Sequence, residues 1–365
     1  MKILIVEDNA DQQNSYQDNI IAINTTGGEQ IIPTIKGTLA DALKELEQSS
    51  FDAAIVDLKL SGNQDEAEGN KLLREIVNKK RFPVFVYSAH LGEIDPDITP
   101  SAFFQIFSKT TLFSDLISKL RDIYKTGVTK ILGRDGEIDR YLAKVFWENI
   151  VASFDELSGK GMTEAQLLRY IAGHLQEHLE LDHKGNFEDH FTEEVYIQPS
   201  IKPNFFTGSI IKRKDTEEYS IILTPQCDMA HANAQTQILA ARVHDGHPFS
   251  SYLADFKHAA PDPATATQLQ IDKHMEKRKK AEEALGNMIH NKYSQKHYFL
   301  PKHREFPGGL VHFQDLFPIS GDKINGEFDH IATINASFLK DIVARFAFYY
   351  SRQGAPDLKI SIFDL

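Results

Sequence analysis

The chain has 365 residues, 52 Asp and Glu against 40 Lys and Arg, a net charge of −12 and a single cysteine. That length allows two or three domains whose cores need no staples, and Cys227 alone excludes an internal disulfide framework. No apolar run approaches the ~18 residues of a membrane span, and the N-terminus runs straight into a strand-like segment, so neither a span nor a signal peptide is expected and the location expected is cytoplasmic. The charge is uneven, with a net −6 over residues 1–127, −7 over 128–200 and +1 over 201–365. Only the last region would meet nucleic acid without long-range repulsion.

In chain order, hydrophobic periodicity predicts strand 2–6, helix 10–22, strand 29–35, helix 38–48, strand 52–57, helix 69–79, strand 83–87, strand 102–107 and helix 111–125. Segment 92–100 is poor for a helix. Strands alternating with helices make a doubly wound five-stranded parallel sheet, flavodoxin-like, whose ligand crevice lies beyond the carboxyl ends of the strands. At those ends stand Glu7 and Asp8 after the first strand, Asp57 after the run from Phe51, Ser88 after the fourth strand and Lys109 after the fifth.

Each residue type has a task in phosphoryl transfer to an aspartate. Clustered carboxylates repel one another and favour a hard divalent cation with oxygen ligands, which suits Mg²⁺. An ionised Asp57 can act as nucleophile and form an acyl phosphate, while the Ser88 hydroxyl and the Lys109 ammonium would hold phosphoryl oxygens. On these positions, residues 1–127 resemble the receiver domain of two-component response regulators. Glu7 and Asp8 match its acidic pair, Asp57 its phosphoacceptor, Ser88 its switch hydroxyl, Lys109 its lysine and Phe107 the aromatic that turns inward on activation. The resemblance implies a partner histidine kinase or phosphotransfer protein, Mg²⁺ held by Glu7, Asp8, Asp57 and the Lys59 carbonyl, and catalytic roles for Asp57, Ser88 and Lys109. The sequence departs from the family at Thr110, where a proline is usual, and in the long acidic loop from Ser61 to Glu68.

Beyond Thr126-Gly127, residues Lys130 to Asp135 read as a linker, followed by apolar residues at helical spacing from Ile138 to Phe154 and a helix from Thr163 to Leu181 opened by a Thr163/Gln166 capping box. Residues 128–190 are expected to form a helical connector. His174, His178, His183 and His190 have metal-like spacing without a thiolate, and read better as a solvated face. Arg169 and His174 resemble the ribonuclease motif of HEPN domains, a short and common pattern.

Residues 191–365 read as a β-rich α+β domain, a small barrel being one form it would take. Short strands are predicted near 194–198, 203–208, 209–212, 219–224, 298–301, 309–313 and 331–334, and a further one at Asp357 to Asp364. A basic helix lies within Pro261 to Asn291, and an aromatic helix spans Ala336 to Ser351, read as core or a homodimer seam. Two function classes stay open for this domain. One is an interaction module. The other is a nuclease or other hydrolase built on Cys227, Asp228 and His231, with the basic helix on a phosphate backbone. The receiver, connector and β-rich module together resemble bacterial receiver proteins of phage-defence systems, which would make the role antiviral.

Overall fold

The computed structural model describes residues 1–60, 68–182, 184–245, 247–262 and 265–352. The chain divides into two compact units, Met1–Phe187 and Glu188–Leu365. The acidic loop at 61–67, His183 and the strand expected at 357–364 lie outside the described residues.

The first unit runs β1 (Lys2–Val6), α1 (Ala10–Thr25), β2 (Ile32–Lys36), α2 (Leu39–Gln48), β3 (Ala53–Val56), α3 (Glu68–Lys79), β4 (Val84–Ser88), β5 (Phe104–Ser108) and α4 (Phe113–Lys125). The strands are all parallel in the order β2-β1-β3-β4-β5. The apolar runs are continuous because both faces of the sheet are covered. Successive residues alternate sides: Leu4, Val6, Ala54, Val56, Val84 and Val86 pack with Leu72, Leu73 and Ile76 of α3. Ile3, Ile5, Ile55 and Phe85 pack instead with Tyr16 and Ile20 of α1 and Leu116, Ile117 and Leu120 of α4.

Chain order reverses between β1 and β3, which opens the crevice at their carboxyl ends. Register places Val6 beside Val56, and the Asp57 amide donates to the Val6 carbonyl at 2.9 Å. Glu7 and Asp57 therefore leave adjacent strands side by side.

Between β4 and β5 there is no α-helix, only a 3₁₀ turn at Leu91–Glu93 and irregular chain, as Gly92, Pro96 and Pro100 lead one to expect. Side chains of α3 pin that segment. Asn70 Nδ2 donates to the Glu93 carbonyl at 2.8 Å, its Oδ1 accepts from the Asp95 amide at 3.1 Å, and Arg74 pairs with Asp95.

After α4 the expected linker is a correction. Val128–Leu132 forms a short helix, α5, and the turn behind it is tight: a Cβ on Gly136 would lie 2.6 Å from the Lys130 carbonyl oxygen. Gly133 and Gly136 permit close backbone approach and do not mark a slack tether. Then come α6 (Glu137–Lys144), a π-helical stretch (Val145–Ile150), α7 (Phe154–Ser158) and α8 (Glu164–Leu179), the last opened by the Thr163/Gln166 capping box.

The second unit contains β6 (Tyr196–Ile197), β7 (Ser209–Arg213), β8 (Tyr219–Ile222), α9 (Gln226–Ala230), β9 (Gln237–His244), α10 (His247–Lys257), α11 (Gln268–Ile289), β10 (His297–Leu300), β11 (Gly309–Ser320), α12 (Ile324–Glu327), β12 (Phe328–Ile334) and α13 (Ala336–Ser351). Seven antiparallel strands in the order β10-β11-β9-β8-β7-β12-β6 curl into a half-barrel. Its edges approach one another, since the Tyr196 hydroxyl on β6 donates to the Pro301 carbonyl just past β10 at 2.6 Å. Ile342 and Tyr349 of α13 are buried among Ile221, Ala241, Leu300, Val311 and Phe313, so the aromatic helix fills the curl and its packing face is core. No strand forms at 203–208. The inner strand β9, by contrast, gives little sequence signal, because Ala240-Ala241-Arg242 lacks the β-branched residues that mark strands.

Gly69 links this fold to the crevice. A Cβ there would meet the Leu58 carbonyl oxygen at 2.5 Å and that of Asp57 at 2.8 Å. Gly69→Ala is expected to destabilise the first unit by about 1–3 kcal/mol, measured by urea unfolding, because backbone rather than a flexible side chain must give way.

Candidate functional site

Glu7, Asp8 and Asp57 each present a carboxylate oxygen within 4.8 Å of the others. Glu7 and Asp57 are buried, at 1% and 7% exposure, while Asp8 is open to solvent. Burying two carboxylates together is costly unless a cation sits between them. The Lys109 ammonium does so, 2.8 Å from Glu7 Oε2 and 2.5 Å from Asp57 Oδ2. Burial alone would lower the Lys109 pKa; hydrogen bonds and charge from Asp57 and Glu7 outweigh it and hold the ammonium above its ordinary value.

Glu7 has a further partner that the sequence did not reveal. The Tyr16 hydroxyl donates to Glu7 Oε2 at 3.0 Å, and burial followed by the Glu7 charge raises the Tyr16 pKa, so the phenol remains a donor. Tyr16 stacks on Phe113 at 4.6 Å. The one available sequence signal is the buried Tyr16/Ile20 spacing on α1. Asn9 caps α1 through the Asp11 and Gln12 amides, which fixes the turn that carries Asp8.

Ser88 is fully buried at the end of β4, its Oγ accepting from the His90 amide at 3.2 Å and its carbonyl from the Lys109 amide at 3.2 Å. The Lys59 amide lies 3.4 Å from Asp57 Oδ1, and its ammonium reaches Glu93 at 3.1 Å. Phe107 is half-buried, 5.1 Å from the Phe85 ring. Glu7, Asp8, Asp57, Ser88 and Lys109 stand at the carboxyl ends of β1, β3, β4 and β5.

In the second unit, Cys227 and His231 are exposed around the short α9, with Cys227 Sγ 3.6 Å from Asp228 Oδ1. Lys277 pairs with Asp255, Lys280 with Glu276, and Arg278 lies over Phe256, so much of the basic face of α11 is already engaged. The described histidines of that set are separately engaged: His174 Nδ1 is 2.9 Å from the Tyr170 carbonyl, His178 Nε2 is 3.4 Å from Asn149, and His190 Nδ1 is 2.7 Å from Glu194.

A cleft of about 540 Å³ went unnoticed in the sequence; Arg242, His244 and Asp315 line it. Asp315 accepts from Arg242 at 2.7 Å and lies 3.0 Å from His244 Nε2. Beside it His297 and His312 face each other across β10 and β11, rings 4.6 Å apart, and the His244 ring is 5.1 Å from His312. Neither Nδ1 of His297 nor of His312 has a hydrogen-bond partner among the described residues.

No protein-family model matches the sequence, and no curated protein matches it. Among solved structures, the chain is similar to a CheY-like receiver domain from Methylobacillus flagellatus, at 17% identity over 34% of this chain and 98% of that one, TM-score 0.27. It is also similar to a CheY-like receiver domain protein from Methanospirillum hungatei, at 19% identity over 34% and 94%, TM-score 0.26. A third is the N-terminal domain of a response regulator/sensory box/GGDEF three-domain protein from Carboxydothermus hydrogenoformans, at 24% identity over 35% and 99%, TM-score 0.26. By its strand order and its helices on both faces, the N-terminal part of the chain has the doubly wound flavodoxin-like fold, the fold of receiver domains.

Two outcomes follow from the ionisable groups. Tyr16→Phe removes one hydrogen bond to a buried charged carboxylate and is expected to cost about 1.5–3 kcal/mol in urea unfolding. Burial, then the neighbouring His312, Lys296 and His244, push His297 down to about 4, and His312 is lowered too. The folded state keeps the His297 ring neutral while the unfolded chain protonates near 6.5, so its contribution is complete above that pH and is lost as pH falls toward 4. Calorimetry from pH 7 to 4.5 should show the second unit's Tm falling, with a shallower acid limb in His297→Leu.

Proposed function

We propose that the chain is a response-regulator-type signalling protein in which Asp57 accepts a phosphoryl group from a histidine kinase or phosphotransfer protein. The observation that carries this reading is the convergence of Glu7, Asp8 and Asp57 within 4.8 Å, with Lys109 bridging Glu7 and Asp57. The all-oxygen donor set, part buried and part open, fits Mg²⁺. Asp8, Asp57 and the Lys59 carbonyl would hold it, with Glu7 acting through water, and it would supply positive charge to the transferring group.

The chain's own residues do the rest. An Asp57 carboxylate oxygen attacks phosphorus as the bond to the donor's imidazole nitrogen breaks, and the imidazole leaves. Lys109, already a cation between two carboxylates, transfers part of its hydrogen bonding to the new phosphoryl oxygens. Ser88 Oγ is the hydroxyl at the same edge, and its movement toward the phosphoryl group would free space for Phe107 to turn inward, biasing a two-state face. The second unit is read as the interaction module that this bias governs, since α13 leaves Phe348 and Tyr350 exposed beside its core-packed face and the Cys227 and His231 side chains show no paired geometry among the described residues beyond the Cys227–Asp228 contact.

Incubating the protein with acetyl phosphate and Mg²⁺ should add one phosphoryl group by intact mass, absent in Asp57→Ala. Lys109→Ala should slow uptake by about a hundredfold, as loss of a positioned charge at a transferring group does. If neither acetyl phosphate nor a histidine kinase adds mass, the phosphoacceptor reading is wrong.

A further inference from the structure

We infer that the helices from Glu137 to Leu179 form half of a four-helix bundle, completed by the same helices of a second copy of this chain. The inference is independent of the phosphoacceptor reading. These helices touch one another, with the rings of Tyr141 and His178 6.4 Å apart and His178 Nε2 3.4 Å from Asn149. Yet α6, α7 and α8 contain no buried residue, and the π-helical stretch contains only Val145. Helices owe most of their stability to a buried apolar face, and this pair does not supply one for itself.

The missing face is present at the surface. Phe146 is 50% exposed, Trp147 67%, Phe154 60% and Leu168 66%, and Leu142, Val151 and Leu179 are bare as well. Trp147, Val151 and Phe154 repeat at four and three residues. Leu168, Ala172, Leu175 and Leu179 do so along α8, giving two stripes, the first of which crosses the turn at 151–153. An aromatic side chain buries ~150–250 Å². Three rings at these exposures, with four aliphatics, exceed the few hundred Å² that a monomer ordinarily leaves bare, and approach the ~800 Å² per partner of a stable interface.

A second copy fits because it brings the same two stripes, and a two-fold pairing of helix pairs buries all four in one core. The rim charges are consistent with this if screened. Residues 137–179 carry seven Asp and Glu against four Lys and Arg, a net −3, so two copies repel at low ionic strength and associate more tightly as salt rises. A basic partner helix would show the opposite dependence.

Trp147 is the chain's single tryptophan and reports on this surface alone. The full chain should be followed by light scattering and tryptophan emission over a dilution series at low and high NaCl. We expect the mass to rise toward twice 41.3 kDa with concentration, a concurrent blue shift of Trp147, and tighter association in high salt. Leu168→Glu, a change at an exposed position, should weaken association at least tenfold while acetyl-phosphate uptake and the circular dichroism spectrum stay unchanged. Asp57→Ala should dimerise like the parent. A single-chain mass at every concentration overturns the inference, whether Trp147 is exposed or shielded. So does a dimer in which Trp147 emission does not move, or one that Leu168→Glu leaves intact.

Discussion

The Lys109 ammonium between Glu7 and Asp57 is the contact on which the candidate site depends. Parallel pairing of β1 with β3 forces the two acids together, because the strands end in register and the residue after each end projects into the same crevice. Side by side and buried, two like charges repel one another at a cost in stability. A cation arriving from the fifth strand end removes that conflict, and it can do so only if β4 and β5 lie where they do, with the Lys109 amide on the Ser88 carbonyl. Sheet order and site electrostatics are thus a single constraint.

That constraint explains how much of the first unit was legible. Continuous apolar runs ending on polar residues identify buried parallel strands, and in a sheet of this kind all the ends share one edge, so Glu7, Asp8, Asp57, Ser88 and Lys109 could be placed together without coordinates. Tyr16 could not. Its contact with Glu7 depends on the rotation of α1 about its axis, which a short amphipathic pattern leaves loose. The absent helix between β4 and β5 was legible in Gly92, Pro96 and Pro100, whereas the Asn70 and Arg74 contacts that replace it pair residues more than twenty positions apart.

The second unit was read less well for a physical reason. In an antiparallel half-barrel the inside is shared between strands and an inserted helix, so inner strands can carry small residues where the filling is tight. Ala240 and Ala241 of β9 are fully buried and look like neither strand nor core in a sequence. Conversely Cys227 and His231, conspicuous in composition, stand in the open. The histidines that do gather, His244, His297 and His312, come from three strands and acquire meaning only once those strands are paired.

The segment after β4 bears on mechanics. A helix in that position would move as a stiff rod, sliding over the sheet with its own hydrogen bonds intact. Here the chain beyond Ser88 is moored instead to α3, by Asn70 on both sides of Ile94 and by Arg74 on Asp95. Displacement of this segment must either drag α3 along or slip those moorings. The load path from Ser88 therefore runs sideways, toward α3, whose Gly69 amide donates to the Leu58 carbonyl next to Asp57, and links the two strand ends through a second route that bypasses the sheet.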